Sequence, residues 1–190
     1  MMSDERAESG VAGNDDELVV RAKYDCAAFS QLYRRYYPEI ATYCLRRLQT
    51  RAVAEDVVSE VFLNVASHLP GFAGVTETEF RRWIFRIATN AITTYWRQFR
   101  LRQQLLVQAA SNGRLHCTGG QTETSDVHRW EAVHQAVMEL EERDRSIVML
   151  RFFSNCSHDE IAEIVDATPG AVRTALSRIL ARLREKLNTA

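Results

Sequence analysis

At 190 residues, with 24 Lys and Arg against 25 Asp and Glu and a net charge of −1, the chain suits one medium domain or two small ones and is not a uniformly basic protein. It holds no run of eighteen apolar residues, and its acidic start lacks the basic and apolar parts of a signal peptide, so neither a spanning helix nor an export signal is expected and a soluble cytoplasmic protein is. Cys26, Cys44, Cys117 and Cys156 form no C-x-x-C pair and read as reduced thiols; His116-Cys117 lacks companion ligands, and no metal or cofactor is expected.

Charge is unevenly spread. Residues 1–17 hold six acids and one base, whereas residues 80–102 hold six arginines and no acid. A local basic face matters more for a polyanion partner than the total does. Residues 1–14 are polar and acidic and read as a disordered tail. Leu18 to Ala22 is short enough for one helical turn or little more. The next helix spans about Cys26 to Leu48, with Phe29, Leu32, Tyr33, Tyr36, Ile40, Tyr43 and Cys44 at helical spacing; Pro38 inside it predicts a kink or a break. A third helix, from about Arg51 to Leu69, has an inner face of Ala54, Val57, Val58, Val61, Phe62 and Val65 and an outer face of Glu55, Asp56, Ser59 and Glu60. Pro70-Gly-Phe-Ala-Gly74 then opens a loop, and Thr76 with Glu79 forms a capping box for a long fourth helix reaching about Val107. Its apolar stripe is Phe80, Trp83, Ile84, Ile87, Ala88, Ala91, Ile92 and Tyr95. Beyond it Trp96 and Phe99 alternate with Arg97, Arg100 and Arg102. Aromatics beside arginines stack on unpaired bases and hold phosphates; Trp96 and Phe99 fit that role and a plain core role equally well.

Residues 109–126 are rich in Gly, Ser, Thr and Gln without periodicity and read as a linker. Helical pattern resumes at Val127 with Trp130, Val133, Val137 and Leu140, and again from Arg145 to Phe153. Ser157 with Glu160 then makes a second capping box, and Thr168 with Pro169 starts a final helix. In that helix Val172, Leu176, Ile179, Leu180 and Leu183 face inward, leaving Arg173, Thr174, Ser177, Arg178 and Arg182 outward. Two helices, a tight turn and a face of Arg, Thr and Ser describe a helix-turn-helix. The fold class expected is all-α: two small helical domains on a flexible tether, the C-terminal one a helix-turn-helix.

Phe29-Ser-Gln-Leu-Tyr33, Ala54-Glu-Asp-Val-Val-Ser-Glu-Val-Phe62, Trp83-Ile-Phe-Arg-Ile-Ala-Thr-Asn90, Ser157-His-Asp-Glu-Ile-Ala162, Gly170-Ala-Val172 and Leu176-Ser-Arg178, in this order, resemble an extracytoplasmic-function (ECF) sigma factor of the sigma-70 family. The resemblance implies a region 2 domain over 15–108, a linker over 109–126 and a region 4 domain over 127–190. It implies that Glu55, Asp56, Ser59 and Glu60 dock on the clamp helices of the largest subunit of core RNA polymerase, and that the C-terminal module meets the polymerase flap. By the same resemblance Phe72, Trp83, Asn90, Arg97 and Arg100 take the −10 element, Gly170, Arg173, Thr174, Ser177 and Arg178 take the −35 element, and an anti-sigma factor is a partner. The chain departs from the family's usual glutamine at Ser59, from its polar residues at Ala175 and Leu180, and from its turn glycine at Asp166.

Two rival classes fit the residues less well. A free-standing helix-turn-helix repressor explains the C-terminal half but not the acidic helix or the arginine-aromatic helix. An enzyme would need a motif such as G-x-x-x-x-G-K-[ST], H-E-x-x-H or G-x-S-x-G, and none occurs; His68, His116, His128, His134 and His158 do not gather at ligand spacing. No enzymatic activity is expected.

Overall fold

A computed structural model describes residues 8–48, 50–110, 133 and 135–188. Its helices are α1 (Glu8–Ala22), α2 (Cys26–Leu45), α3 (Arg51–His68), a 3-10 turn (Leu69–Gly71), α4 (Glu77–Ala110), α5 (Glu142–Phe152), α6 (His158–Ile164) and α7 (Pro169–Asn188). No strand occurs among the described residues, so the all-α class holds.

Local signals set most helix starts. Asp25 accepts from Ala27 N at 2.9 Å and Ala28 N at 3.3 Å to begin α2, and Thr50 accepts from Val53 N at 3.3 Å to begin α3. The Thr76–Glu79 box forms as its spacing predicts, with Thr76 N donating to Glu79 Oε2 at 3.0 Å and Glu79 N to Thr76 Oγ1 at 3.2 Å. α4 begins at Glu77, directly after that cap, and Asp16 from α1 adds a second acceptor, taking Glu77 N at 2.6 Å. A cap supplied sixty residues away leaves no mark in the local sequence.

α1 corrects the reading of the N-terminus. The helix begins at Glu8, inside the stretch expected to be a disordered tail, and is much longer than the Leu18–Ala22 turn. Its anchors are tertiary: Val19 and Ala22 are buried, and Asp15 takes a two-pronged ion pair from Arg35 at 2.5 and 2.7 Å. The Arg35 guanidinium holds the Asp15 carboxyl below the ordinary carboxylate range. The expected break at Pro38 is also corrected, since α2 runs through it. Pro38 lies on the exposed side, while Tyr36, Ile40 and Tyr43 are buried and pin the helix on either side of it.

Helices α1 to α4 enclose a core of Leu32, Tyr36, Ile40, Tyr43, Val58, Val61, Val65, Phe80, Ile84, Phe85 and Ile92. The C-terminal module encloses Leu140, Ile147, Leu150, Ile161, Ile164, Val172, Leu176 and Ile179. The two sets belong to one contiguous buried cluster, and α4 packs against α6. The two small helical domains of the expected fold therefore meet across α4 and α6. Residues 111–126 of the expected linker lie outside the described residues, and its first two positions extend α4.

Candidate nucleic-acid interface

The helix-turn-helix is built as its sequence signals dictate. Ser157 N donates to Glu160 Oε2 at 2.7 Å and Glu160 N to Ser157 Oγ at 3.2 Å, closing the capping box of α6. Ala171 N donates to Thr168 Oγ1 at 3.2 Å at the start of α7. Asp166 takes the left-handed backbone that the turn requires, at φ 53°, a conformation that aspartate tolerates better than most non-glycine residues. Val172, Leu176 and Ile179 turn inward, leaving Gly170, Arg173, Thr174 and Ser177 exposed along one side of α7. Arg178 is exposed on the same helix but committed: its Nη2 donates to both Asp144 oxygens at 3.1 and 3.2 Å. Asp144 is buried on α5, so this pair fastens α7 to the helix beneath it.

A second site lies at the start of α4. Phe72 stacks on Trp83, with ring centroids 4.6 Å apart. A cavity of about 250 Å³ beside them is lined by Phe72, Gly74, Glu79, Arg82, Trp83, Arg86 and Glu163. The loop that carries Phe72 is held from several directions. Lys23 Nζ donates to Gly74 O at 2.9 Å and lies 5.6 Å from the Phe72 ring centroid. Glu79 Oε2 accepts from Val75 N at 2.9 Å as well as from Thr76, and these backbone donors hold its carboxyl below the ordinary range. Gly74 is required by close approach: a Cβ there would stand 2.4 Å from Phe72 Cζ.

Asn90 does not join Phe72 and Trp83. It is exposed one turn beyond Arg86 and lines a neighbouring cavity of about 410 Å³ with Arg86, Thr89, Thr93 and, from the other module, Glu142, Arg143 and Asp166. Arg97 and Arg100 are exposed on the same helix. Tyr95, Trp96 and Phe99 pack against one another with centroids 5.4 to 6.1 Å apart. Trp96 is also covered by Arg145, whose guanidinium lies 5.5 Å from its ring. Of the two roles open to Trp96, packing is the one it plays in this conformation.

On α3, Glu55, Asp56, Ser59 and Glu60 are all exposed. Arg51 Nε bonds Glu55 at 2.7 Å, and Ser59 Oγ donates back to Glu55 O at 2.9 Å. Leu63, 70% exposed, continues the same strip. Sequence periodicity passed over it because an exposed leucine interrupts no helical pattern; its spacing of three from Glu60 and seven from Asp56 was the available signal. Nearby, Tyr33 packs on Phe62 with centroids 4.5 Å apart.

Several arginines bridge the two modules. Arg81 donates to Glu39 at 2.5 Å, to Ser154 O at 2.6 Å and to Glu160 at 3.4 Å. Arg82 pairs with Glu163 at 2.5 Å, Arg46 covers Phe153 at 4.3 Å, and fully buried Arg47 meets Glu142 and the Tyr43 hydroxyl. No group of three or more His, Cys, Asp and Glu suited to a metal occurs among the described residues. Nor is any described helix long and apolar enough to cross a membrane.

The two halves match separate family models: sigma-70 region 2 over residues 32–102 and sigma-70 region 4 over residues 130–183. The RNA polymerase sigma factor YlaC of Bacillus subtilis is 30% identical over 163 residues, covering 85% of this chain and 91% of the relative. The ECF RNA polymerase sigma-E factor of Escherichia coli K12 is 30% identical over 173 residues, covering 86% and 89%. That of Haemophilus influenzae is 29% identical over 182 residues, covering 91% and 95%. Among solved structures, CnrH in complex with the cytosolic domain of CnrY aligns with a TM-score of 0.69 at 20% identity, covering 92% of this chain and 97% of that one. The sigma factor RpoE in complex with the anti-sigma factor NepR, from Bartonella quintana, aligns at 0.61 with 21% identity, covering 84% and 96%. At those identities the structural likeness speaks for the fold.

Proposed function

The chain belongs to the sigma-70 family of RNA polymerase sigma factors, in its ECF group, and from that premise we propose how its own residues divide the work of promoter recognition. A sigma factor binds core polymerase, directs it to promoters and assists their opening. The observation that carries the residue assignment is the coexistence on one chain of an exposed acidic strip, an aromatic cavity flanked by arginines and a helix-turn-helix with an Arg-Thr-Ser face.

The strip Glu55, Asp56, Ser59 and Glu60, extended by Leu63, docks on the clamp helices of the polymerase largest subunit. Its charges steer association, while Leu63 offers apolar surface to bury. Phe72 and Trp83 line the site for an unpaired base of the −10 element; a base taken out of the stack needs a pocket and a stacking face. Arg82 and Arg86 stand at that cavity for the flanking phosphates, and Asn90, Arg97 and Arg100 follow the strand along α4. Gly170, Arg173, Thr174 and Ser177 meet the −35 element, with Arg178 available to it on leaving Asp144. Region 4 also meets the polymerase flap. An anti-sigma factor is a further partner, a reading supported by the similarly folded RpoE, a sigma factor held in complex with the anti-sigma factor NepR. The protein acts without catalysis of its own, in the cytoplasm.

Asp56→Arg with Glu60→Arg tests the docking strip. The doubly reversed protein should keep its helical content by circular dichroism, fail to co-purify with core polymerase and give no run-off transcript. Full transcription by that protein would remove the strip from the polymerase interface.

A further inference from the structure

We propose that the free chain locks itself: region 4, seated on α4, closes the aromatic cavity of region 2, and Glu163 occupies the place on Arg82 that a promoter phosphate would take. The proposal rests on the functional reading of that cavity and adds a closed state to it.

Three independent contacts point the same way. Of the cavity beside Phe72 and Trp83, every lining residue comes from region 2 except Glu163, which reaches in from α6. Its carboxylate sits 2.5 Å from Arg82 Nη1, the geometry of a charge-assisted bond that an anionic phosphate oxygen would make equally well. The preceding residue, Arg81, ties α2, α4, the turn before α6 and α6 itself together through Glu39, Ser154 O and Glu160. The third contact is Arg47, 0% exposed and facing Glu142 of α5. An arginine with no exposed surface is not an accidental contact of two passing modules, because its desolvation is tolerable only while its carboxylate partner stays in place.

The consequence for binding is twofold. A DNA strand approaching the cavity meets Glu163, and one approaching Asn90 meets Glu142, so both entrances present a carboxylate to a polyanion. To bind, the strand must displace region 4, and its apparent affinity falls in proportion to the open fraction. Core polymerase, by holding region 2 and region 4 on separate surfaces, supplies the differential binding that opens the lock.

The test uses the full chain with Glu163→Arg, which sets like charge against Arg82 at an exposed position, with circular dichroism as the fold control and Glu163→Gln as the milder variant. Small-angle X-ray scattering should show a larger radius of gyration for Glu163→Arg than for the wild type, and the swap Arg82→Glu with Glu163→Arg should restore compaction. Binding of a fluorescent, AT-rich single-stranded oligonucleotide, followed by anisotropy, should tighten in Glu163→Gln by up to roughly 10-fold, the factor expected if about a tenth of the wild type is open. An unchanged radius in Glu163→Arg together with unchanged oligonucleotide affinity in Glu163→Gln overturns the lock. If the wild type also fails to initiate with core polymerase, the functional reading falls instead, and the scattering result alone still decides whether the modules are clasped.

Discussion

The buried pair between Arg47 and Glu142 makes the sharpest energetic prediction. Arg47 is 0% exposed; its Nη1 donates to the Tyr43 hydroxyl at 2.6 Å, its Nη2 to Glu142, and its Nε finds no acceptor among the described residues. Glu142→Ala leaves that guanidinium in an apolar setting with a neutral hydroxyl as its main partner. Removing one member of a buried pair in this way costs about 3–5 kcal/mol. Arg47→Met is milder, since Glu142 keeps Arg145 at 3.4 Å and methionine fills much of the vacated volume. The double variant, Arg47→Met with Glu142→Ala, should recover most of the loss, because no uncompensated charge stays buried. Urea unfolding followed by circular dichroism measures each variant, and the double-mutant cycle isolates the coupling. The orphaned guanidinium has one other escape, which is to reach water by parting α2 from α5, and scattering detects that as expansion. A Glu142→Ala protein that unfolds within about 1 kcal/mol of the wild type and stays compact would refute the reasoning.

Two further outcomes follow from the site geometry. Arg173 is exposed, whereas Arg178 is held by Asp144, so Arg173→Ala should cost the larger share of promoter discrimination, about 1–3 kcal/mol if it reads a guanine edge, and Arg178→Ala less; holoenzyme binding to promoter variants that reversed this order would show that Arg178 leaves Asp144 on DNA. Glu79, whose pKa is lowered by the Val75 and Thr76 backbone donors, stabilises the Phe72 loop fully above the ordinary carboxylate pKa of about 4.3 and loses that contribution as pH falls through its lower folded value. Glu79→Gln should therefore be less stable than the wild type at neutral pH and converge with it in acid, and urea midpoints that differ equally at both ends of the range would exclude the carboxylate.

Much of this protein was determined by the sequence alone, wherever the physics is local. Capping boxes at Thr76–Glu79 and Ser157–Glu160 act over three residues, and the apolar stripes of α3, α4 and α7 repeat within a single helix. Their spacing therefore announced the helices, the all-α class and the outward face of Arg173, Thr174 and Ser177. Resemblance of several short motifs in order supplied the family, which the matches to regions 2 and 4 then showed. Where the deciding partner is distant in the chain, tertiary structure alone decided. Asp15 and Asp16 stood out in the sequence only as part of the acidic start, yet Asp15 binds Arg35 and Asp16 caps α4. Pro38 looked like a break until buried neighbours on both sides held the helix straight through it. The docking of region 4 on region 2 was the least legible feature. It depends on single arginines finding single carboxylates, Arg47 with Glu142 and Arg82 with Glu163, across more than eighty residues of chain. In sequence, a charge that will be buried and paired looks the same as one that will face water; only folding brings its partner within reach and strips its solvent away.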